Sequence, residues 1–182
     1  MLQIRIHARG GQGGKSLAQI IAETSLKLGN YIQSFPEYGP ERSGAPTRAF
    51  VRIDDKAIKT HEPIFSPDIV IVLDETLLSS GNLSEGLNKG GILMVNTEKT
   101  KDELKNITNF DGQIYVIKAT KIALETIGMN KPGSPMVGAL CRFTKLINLE
   151  ALKKDMEEKF GKKGKEIVES NKSAIEIGYK SI

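Results

Sequence analysis

The residues best suited to chemistry in this sequence form a glycine-rich segment near the amino terminus, which reads Ala-Arg-Gly-Gly-Gln-Gly-Gly-Lys-Ser over positions 8–16. It follows alternating apolar residues that indicate a strand, and it precedes apolar residues at helical spacing. Glycines let the backbone approach a ligand closely, and a helix amino terminus offers unpaired N–H groups and a positive dipole end. The segment therefore predicts a site for a phosphate or carboxylate group. The candidate binding residues are Arg9, Gly10, Gly11, Gln12, Gly13, Lys15 and Ser16.

Two well-known phosphate-binding motifs do not fit this glycine-rich segment. A P-loop needs glycine at position 9, where Arg9 stands. A dinucleotide fingerprint that starts at Gly11 needs glycine at position 16, which is Ser16, and an acidic residue after the second strand, where 33–34 is Gln-Ser. Two interpretations stay open, namely a tight strand-to-helix turn without a ligand and a loop that binds phosphate groups.

A second candidate surface is the segment 35–46, Phe-Pro-Glu-Tyr-Gly-Pro-Glu-Arg-Ser-Gly-Ala-Pro, which follows a short strand expected over 31–35. The carboxyl ends of strands in a doubly wound sheet are where ligand and partner sites collect. Three prolines stiffen the segment, so its side chains lose little entropy on binding. It is either an internally satisfied Ω-like loop or a ligand or partner surface. The candidate interface residues are Glu37, Tyr38, Glu41 and Arg42.

The other reactive side chains give no catalytic or metal site. The single cysteine, Cys141, excludes an internal disulfide, a four-cysteine zinc site and an all-cysteine iron–sulfur cluster held by this chain alone. Its apolar helical setting indicates a packed core thiol. His7 lies on the polar face of the first strand and is expected to be structural, and His61 has no acid or nucleophile nearby in the sequence.

The composition is that of a globular domain without a nucleic-acid or membrane partner. Of 182 residues, 39% are hydrophobic and only 5% aromatic, so the core must be aliphatic, as in a parallel sheet buried on both faces. The net charge of +4 lies largely in mixed-sign runs of the last third, which favour a solvated face over a nucleic-acid surface. No apolar run reaches the ~18 residues of a membrane span. With no signal-peptide pattern at the amino terminus, we expect a cytoplasmic protein.

Alternating strand and helix patterns predict one α/β domain over 1–182, a doubly wound, Rossmann-like fold whose sheet is mostly parallel with an antiparallel edge hairpin. Strands are expected near 2–7, 68–73, 91–95 and 113–117. The alternating segment 47–53 has one polar face, which favours an antiparallel edge position, with a turn at 54–56 into a partner strand at 57–60. Ser134 is expected to cap a helix that runs to Lys145, with Pro135 at its first position.

Three blocks resemble a known family. Gly-Gly-Gln-Gly at 10–13, FPEYGPERSGAPTRAFVRI at 35–53 and PDIVIVLD at 67–74 occur in the order seen in γ subunits of pyruvate:ferredoxin oxidoreductases, and PMVGAL at 135–140 is similar too. The second block is the most specific. It resembles pyruvate enzymes more than 2-oxoglutarate or branched-chain enzymes. Gly14 departs from the family, in which an aliphatic residue is frequent at this position.

The resemblance implies a subunit of a multi-subunit enzyme that converts pyruvate, coenzyme A and oxidised ferredoxin to acetyl-CoA, CO₂ and reduced ferredoxin, reversibly. Thiamine diphosphate, Mg and [4Fe–4S] clusters would lie on partner subunits, with α, β and δ subunits as partners and ferredoxin reached through the complex. This chain, inactive alone, would hold coenzyme A phosphates on its glycine-rich segment and dock through 37–46. The alternatives are a subunit of a related 2-oxoacid oxidoreductase, a purely structural assembly subunit and a free-standing nucleotide-binding protein.

Overall fold

A six-stranded mixed sheet forms the centre of the molecule. The computed structural model describes residues 1–37, 44–79, 81, 83–88 and 90–182. The strands are β1 (Leu2–Arg9), β2 (Tyr31–Glu37), β3 (Pro46–Asp54), β4 (Ile69–Val72), β5 (Ile92–Asn96) and β6 (Gln113–Ile117). Their order across the sheet is β2-β3-β1-β4-β5-β6.

The sheet has a parallel half and an antiparallel half. Strands β1, β4, β5 and β6 pair in parallel, whereas β3 runs antiparallel to both β1 and β2. The hairpin of β2 and β3 lies at one edge. The predicted α/β fold, mostly parallel with an antiparallel edge hairpin, is therefore confirmed.

Helices lie on both faces of this sheet, which makes it doubly wound. A 3-10 helix at Glu75–Ser79 follows β4. The α-helices are α1 (Gly14–Lys27), α2 (Lys101–Thr108), α3 (Ala119–Ile127), α4 (Gly133–Leu140), α5 (Leu149–Phe160) and α6 (Lys165–Lys180).

The two faces of the sheet carry separate aliphatic cores. The larger core joins β1, β3 and β4 to helices α1, α3, α4, α5 and α6, with fully buried residues such as Ile6, Ile21 and Ile71. The smaller core lies on the other face, where Val70 and Leu93 pack against Leu104 of α2. Burial of each such side chain contributes about 1.5–3 kcal/mol. These aliphatic strands, covered on both sides, form the rigid base from which the loops at their carboxyl ends project.

The predicted edge position of segment 47–53 is wrong, because β3 lies between β2 and β1. One end of its polar face is buried rather than solvated, since Arg52 is only 2% exposed, whereas Arg48 at the other end is exposed. The Arg52 guanidinium donates hydrogen bonds to Gln33 Oε1 at 2.6 Å and to the Glu62 carbonyl at 2.6 Å. Arg52 on this strand therefore indicated a loop that packs against this face of the sheet, not contact with solvent.

The hairpin partner expected at 57–60 is also wrong, because that segment is not a strand. Instead, the Thr60 carbonyl accepts a hydrogen bond from Gln33 Nε2 at 2.7 Å. The true partner of β3 at the edge is β2, which extends to Glu37 instead of ending at Phe35.

Helix α4 begins and ends differently from the prediction. Its N-cap is Pro132 and no side chain of the described chain caps it, so the predicted Ser134 cap is wrong. The Ser134 hydroxyl instead donates to Asn171 Oδ1 of α6 at 2.9 Å. The helix ends at Leu140 rather than at Lys145.

Candidate functional site

The glycine-rich segment forms a tight turn from β1 into α1. Gly11 and Gly13 have φ of 91° and 87°, which favours glycine, and Gly13 is the N-cap of α1. The Gly10 N–H donates to the Ala45 carbonyl at 2.9 Å, and the Gly44 N–H donates to the Gly10 carbonyl at 3.3 Å. The turn is thereby tied to the start of β3, at the carboxyl end of β1.

The amino terminus of α1 is open. Among the described residues, no side chain caps it, and its first turn carries no acid. Lys15 and Ser16 are exposed there, whereas Gly14 is buried, and a Cβ built on Gly14 would lie 2.9 Å from the Ala8 Cβ. Glycine at position 14, the departure from the resembled family, thus lets α1 start directly against β1. An open helix terminus with a lysine in its first turn suits an anion.

A pocket of about 280 Å³ lies against this turn. Its walls are the glycine-rich segment, the end of β2 at Pro36 and Glu37, and the start of β3 at Thr47 and Arg48. The pocket contains six of the seven candidate binding residues, namely Arg9, Gly10, Gly11, Gly13, Lys15 and Ser16. Gln12 lies outside it.

Arg9 is held by the protein itself. Its Nε donates to Thr76 Oγ1 at 2.8 Å and lies 3.7 Å from the Asp74 carboxylate, while a terminal nitrogen donates to the Gly44 carbonyl at 3.1 Å. Arg9 therefore adds positive charge to the pocket from a fixed position, but several of its donors are already used.

Gln12 points to the opposite side of the turn. Its Oε1 accepts from the Arg9 N–H at 2.9 Å, and its Nε2 donates to Asp74 Oδ2. Burial alone would raise the pKa of Asp74, but hydrogen bonds from Thr76 and Gln12 and the charge of Arg9 hold that pKa below its usual range. Asp74 was absent from the predicted site. The sequence signal that could have found it is its position directly after the most apolar strand.

A larger cavity of about 650 Å³ opens at the carboxyl ends of β4, β5 and β6, next to Gln12. Buried Asn96 braces its floor, because its Nδ2 donates to the Leu73 carbonyl at 2.8 Å and its Oδ1 accepts from the Thr120 N–H at 2.9 Å. Sequence reasoning did not identify this cavity, whose wall brings together residues from four separate segments of the chain.

The four candidate interface residues can be placed only in part. Tyr38, Glu41 and Arg42 lie outside the described residues. Glu37, at the end of β2, forms an ion pair with Arg48 across the hairpin at 2.7 Å, and both side chains are about half exposed. Glu37 therefore lies partly exposed at the wall of the smaller pocket.

The remaining reactive side chains are the single cysteine and the two histidines, and each has contacts within the described chain. Burial raises the pKa of Cys141 to about 12, and the thiol packs against the larger core, which confirms the expectation of a core thiol. His7 is buried and accepts a hydrogen bond from Arg5 Nε at 3.1 Å. His61 lies 3.0 Å from Gln33 Nε2. Across the described ranges, no group of three or more His, Cys, Asp or Glu side chains is arranged to hold a metal ion.

Within the part of the chain that the structure describes, no helix combines the length and apolar character needed to cross a membrane.

Comparison with protein families gives a match over almost the whole chain. Residues 3–181 match the family described as pyruvate ferredoxin/flavodoxin oxidoreductase. The pyruvate synthase subunit PorC of Thermotoga maritima is 48% identical over 181 residues, covering 99% of this chain and 94% of the relative. The pyruvate/ketoisovalerate oxidoreductases common subunit gamma of Thermococcus kodakarensis is 44% identical over 161 residues, covering 88% of this chain and 87% of the relative.

Solved structures give the same result. The crystal structure of pyruvate oxidoreductase subunit PORC from Thermotoga maritima superposes with a TM-score of 0.89 at 46% identity, covering 98% of this chain and 95% of that chain. The fold also occurs in the 2-oxoglutarate:ferredoxin oxidoreductase of Magnetococcus marinus, solved with 2-oxoglutarate, coenzyme A and succinyl-CoA bound. There the TM-score is 0.81 at 21% identity, covering all of this chain and 31% of that chain.

Proposed function

The chain belongs to the pyruvate ferredoxin/flavodoxin oxidoreductase family, and from this premise we propose that it is the γ subunit of a pyruvate:ferredoxin oxidoreductase. The enzyme converts pyruvate, coenzyme A and oxidised ferredoxin to acetyl-CoA, CO₂ and reduced ferredoxin, and the reverse reaction makes pyruvate. Thiamine diphosphate, Mg and the [4Fe–4S] clusters belong to the α, β and δ partner subunits.

The role of this subunit is to hold the phosphate groups of coenzyme A in the smaller pocket. The observation that carries this proposal is the open amino terminus of α1, which lines that pocket together with the cations of Lys15, Arg9 and Arg48. Phosphate groups are favoured at such a terminus because the N–H groups and the helix dipole both attract negative charge.

The test is the apparent KM for coenzyme A in the assembled enzyme after the change Lys15→Ala. A charge-assisted hydrogen bond is worth about 1.5–3 kcal/mol, so the KM should rise roughly 10-fold or more. Lys56→Ala, which removes an exposed lysine elsewhere, is the matched control and should leave the KM unchanged. Electron transfer that needs only pyruvate should persist in both variants. An unchanged KM in Lys15→Ala rejects the coenzyme A role while leaving the subunit assignment in place.

Docking to a larger catalytic subunit is assigned to the segment 37–46. Glu37 and Arg48 support this proposal because they carry an exposed ion pair beside the pocket, where a partner covering the ligand would make contact. Guanidinium suits bidentate pairing with a partner carboxylate, so Arg42→Ala should weaken co-purification of the α and β subunits. Arg142→Ala, which removes an exposed arginine elsewhere in the described chain, is the control. Equal recovery of the complex from both variants would count against this docking role.

A second candidate function is a γ subunit shared by two oxidoreductases. The relatives from Thermococcus kodakarensis and Thermococcus litoralis, at 44% and 40% identity, are common gamma subunits of pyruvate and ketoisovalerate oxidoreductases. Affinity purification of the tagged chain from its own cells distinguishes the candidates. A dedicated subunit brings one pair of large subunits, whereas a shared subunit brings two pairs and oxidises both 2-oxoacids.

A further inference from the structure

Asp74 is the meeting point of the polar side chains behind the glycine-rich segment. Its Oδ1 accepts from the Thr76 N–H at 2.9 Å and from the Thr76 hydroxyl at 2.6 Å. Its Oδ2 accepts from Gln12 Nε2 and lies 3.7 Å from Arg9 Nε. The carboxylate is mostly shielded, with 15% of its side chain exposed. Both of its oxygens are therefore engaged with groups whose positions fix the turn.

The contacts of Asp74 reach the turn through two arms. One arm is Gln12, whose other amide atom accepts from the Arg9 N–H at 2.9 Å and so closes the turn onto the end of β1. The other arm is Thr76, whose hydroxyl accepts from Arg9 Nε at 2.8 Å while it donates to Asp74. Each arm ends on Arg9, one on its backbone and one on its guanidinium.

The turn benefits from such an external brace, because its own backbone contact, from the Gln12 N–H to the Arg9 carbonyl at 3.0 Å, leaves four glycines to be ordered. Glycines at 10, 11, 13 and 14 give the backbone access to many conformations, and ordering each residue costs about 1–2 kcal/mol. A turn left to itself would sample many arrangements of its N–H groups and would bind an anion poorly. Asp74 lies just beyond the end of β4, whose residues are buried in the sheet, so it transmits the rigidity of the sheet to the turn.

We propose that Asp74 is a positioning residue, which, through Gln12 and Arg9, holds the glycine-rich segment in the conformation that binds the phosphate groups of coenzyme A. The inference rests on the proposed function of the smaller pocket. It also assigns Arg9 chiefly to bracing the turn and leaves the open amino terminus of α1, with Lys15, as the part that contacts the anion. Asp74 lines the larger cavity and is not among the residues that line the smaller pocket.

The decisive variant is Asp74→Asn. If the new amide oxygen keeps its contact with Thr76, the amide nitrogen faces Gln12 Nε2 and Arg9 Nε. Both of these groups are hydrogen-bond donors, so they lose the acceptor that the carboxylate provided. In the assembled enzyme, the KM for coenzyme A should rise at least 10-fold, while kcat at saturating coenzyme A and the KM for pyruvate change less than twofold. Amide hydrogen exchange over 10–14 should speed up at least 10-fold without coenzyme A. Glu98→Gln is the matched control, since Glu98 also lines the larger cavity but pairs with Lys118 at 2.9 Å, and should change neither quantity.

A second variant keeps the test independent of any effect of Asp74 on folding. Gln12→Ala removes the arm that closes the turn, and it should raise the KM for coenzyme A and the exchange rate over 10–14 as Asp74→Asn does. Adding Asp74→Asn to Gln12→Ala should then change the KM by less than threefold, because neighbours in one network do not act additively.

The outcomes separate this inference from the proposed function. If Lys15→Ala raises the KM for coenzyme A but Asp74→Asn and Gln12→Ala do not, the pocket binds coenzyme A and the positioning role is wrong. If exchange over 10–14 speeds up while none of the variants changes the KM, Asp74 braces the turn but the turn does not bind coenzyme A, and both proposals fail as stated. If the increases in the KM for coenzyme A caused by Asp74→Asn and Gln12→Ala multiply fully in the double variant, Asp74 does not act through Gln12.

Discussion

Acid should destabilise this protein through one buried histidine. His7 lies on β1, 8% exposed, and its Nε2 accepts from Arg5 Nε at 3.1 Å, so the ring must be neutral at that nitrogen. Burial, together with the charges of Arg5 and Arg48, lowers the pKa of His7 from 6.5 to about 3. In the unfolded chain the same imidazole titrates near its ordinary pKa of about 6.5.

The sign of the effect follows from proton binding. Between the two pKa values the unfolded chain takes up a proton that the folded chain does not, so acid favours unfolding. The contribution of His7 to stability is complete above the unfolded pKa and is lost as the pH falls below it. One pKa unit corresponds to about 1.36 kcal/mol. Lowering the pH from 7.5 to 5 should therefore remove about 2 kcal/mol from the free energy of unfolding through His7 alone.

The assay is urea unfolding of the full chain at pH 7.5 and pH 5, repeated for His7→Gln and His61→Gln. These are the only two histidines, and His61 is exposed, which makes it the matched control. Carboxylates titrate in every variant, so their effect cancels in the comparison. His7→Gln should lose about 2 kcal/mol less than the unmodified chain over this interval, and His61→Gln should behave like the unmodified chain. An equal loss in all three proteins would refute the reasoning.

Three further predictions concern packing and a buried polar contact. Gly138→Ala should lower the free energy of unfolding by about 3 kcal/mol, because its Cβ would lie 2.0 Å from a carbonyl oxygen of α6. Gly161→Ala, at a helical position with open space, should change the free energy of unfolding by less than about 1 kcal/mol. Thermal unfolding of both variants checks this contrast. Gly14→Ala should cost about 1–3 kcal/mol in the same assay, since its Cβ would lie 2.9 Å from a Cβ of β1, and a neutral result would mean that α1 can shift freely. Asp155→Ala should cost about 1–3 kcal/mol in urea unfolding because it leaves the buried Thr24 hydroxyl without its acceptor, and Asp155→Asn, which can still accept, should recover part of the loss.

Much of this fold could be predicted from the sequence because its signals are local. The aliphatic runs at β4, β5 and β6 and the helical spacing of α3 and α5 depend only on neighbours along the chain. This spacing predicts helices over 119–127 and 149–160, and α3 and α5 have these bounds in the structure. The inner position of β3, between β2 and β1, was less accessible than its antiparallel direction, because Arg52 at a strand position suggests solvent unless the loop that covers it is known.

The candidate site also has a part that the sequence predicts and a part that only the tertiary structure shows. The glycine-rich turn and the open start of α1 follow from residues that are adjacent in sequence, so composition and order alone determined that an anion-suited corner exists. Only the tertiary structure shows that β3 packs between β1 and β2 and that Arg48 of β3 lines the smaller pocket.

The role of Asp74 was likewise decided by the fold. It lies 62 residues from Gln12 along the chain, and the two meet only because β1 and β4 are neighbours in the sheet and end at the same edge. The strand pattern in the sequence predicted that Gln12 follows one strand and that Asp74 follows another. Hydrophobic burial is not directional. It favours a sheet covered on both faces, but it does not specify which polar side chains come together at the edge where the strands end. The parallel pairing of β1 with β4 decided this, because it placed the carboxylate of Asp74, which follows β4, beside the turn that begins at the end of β1.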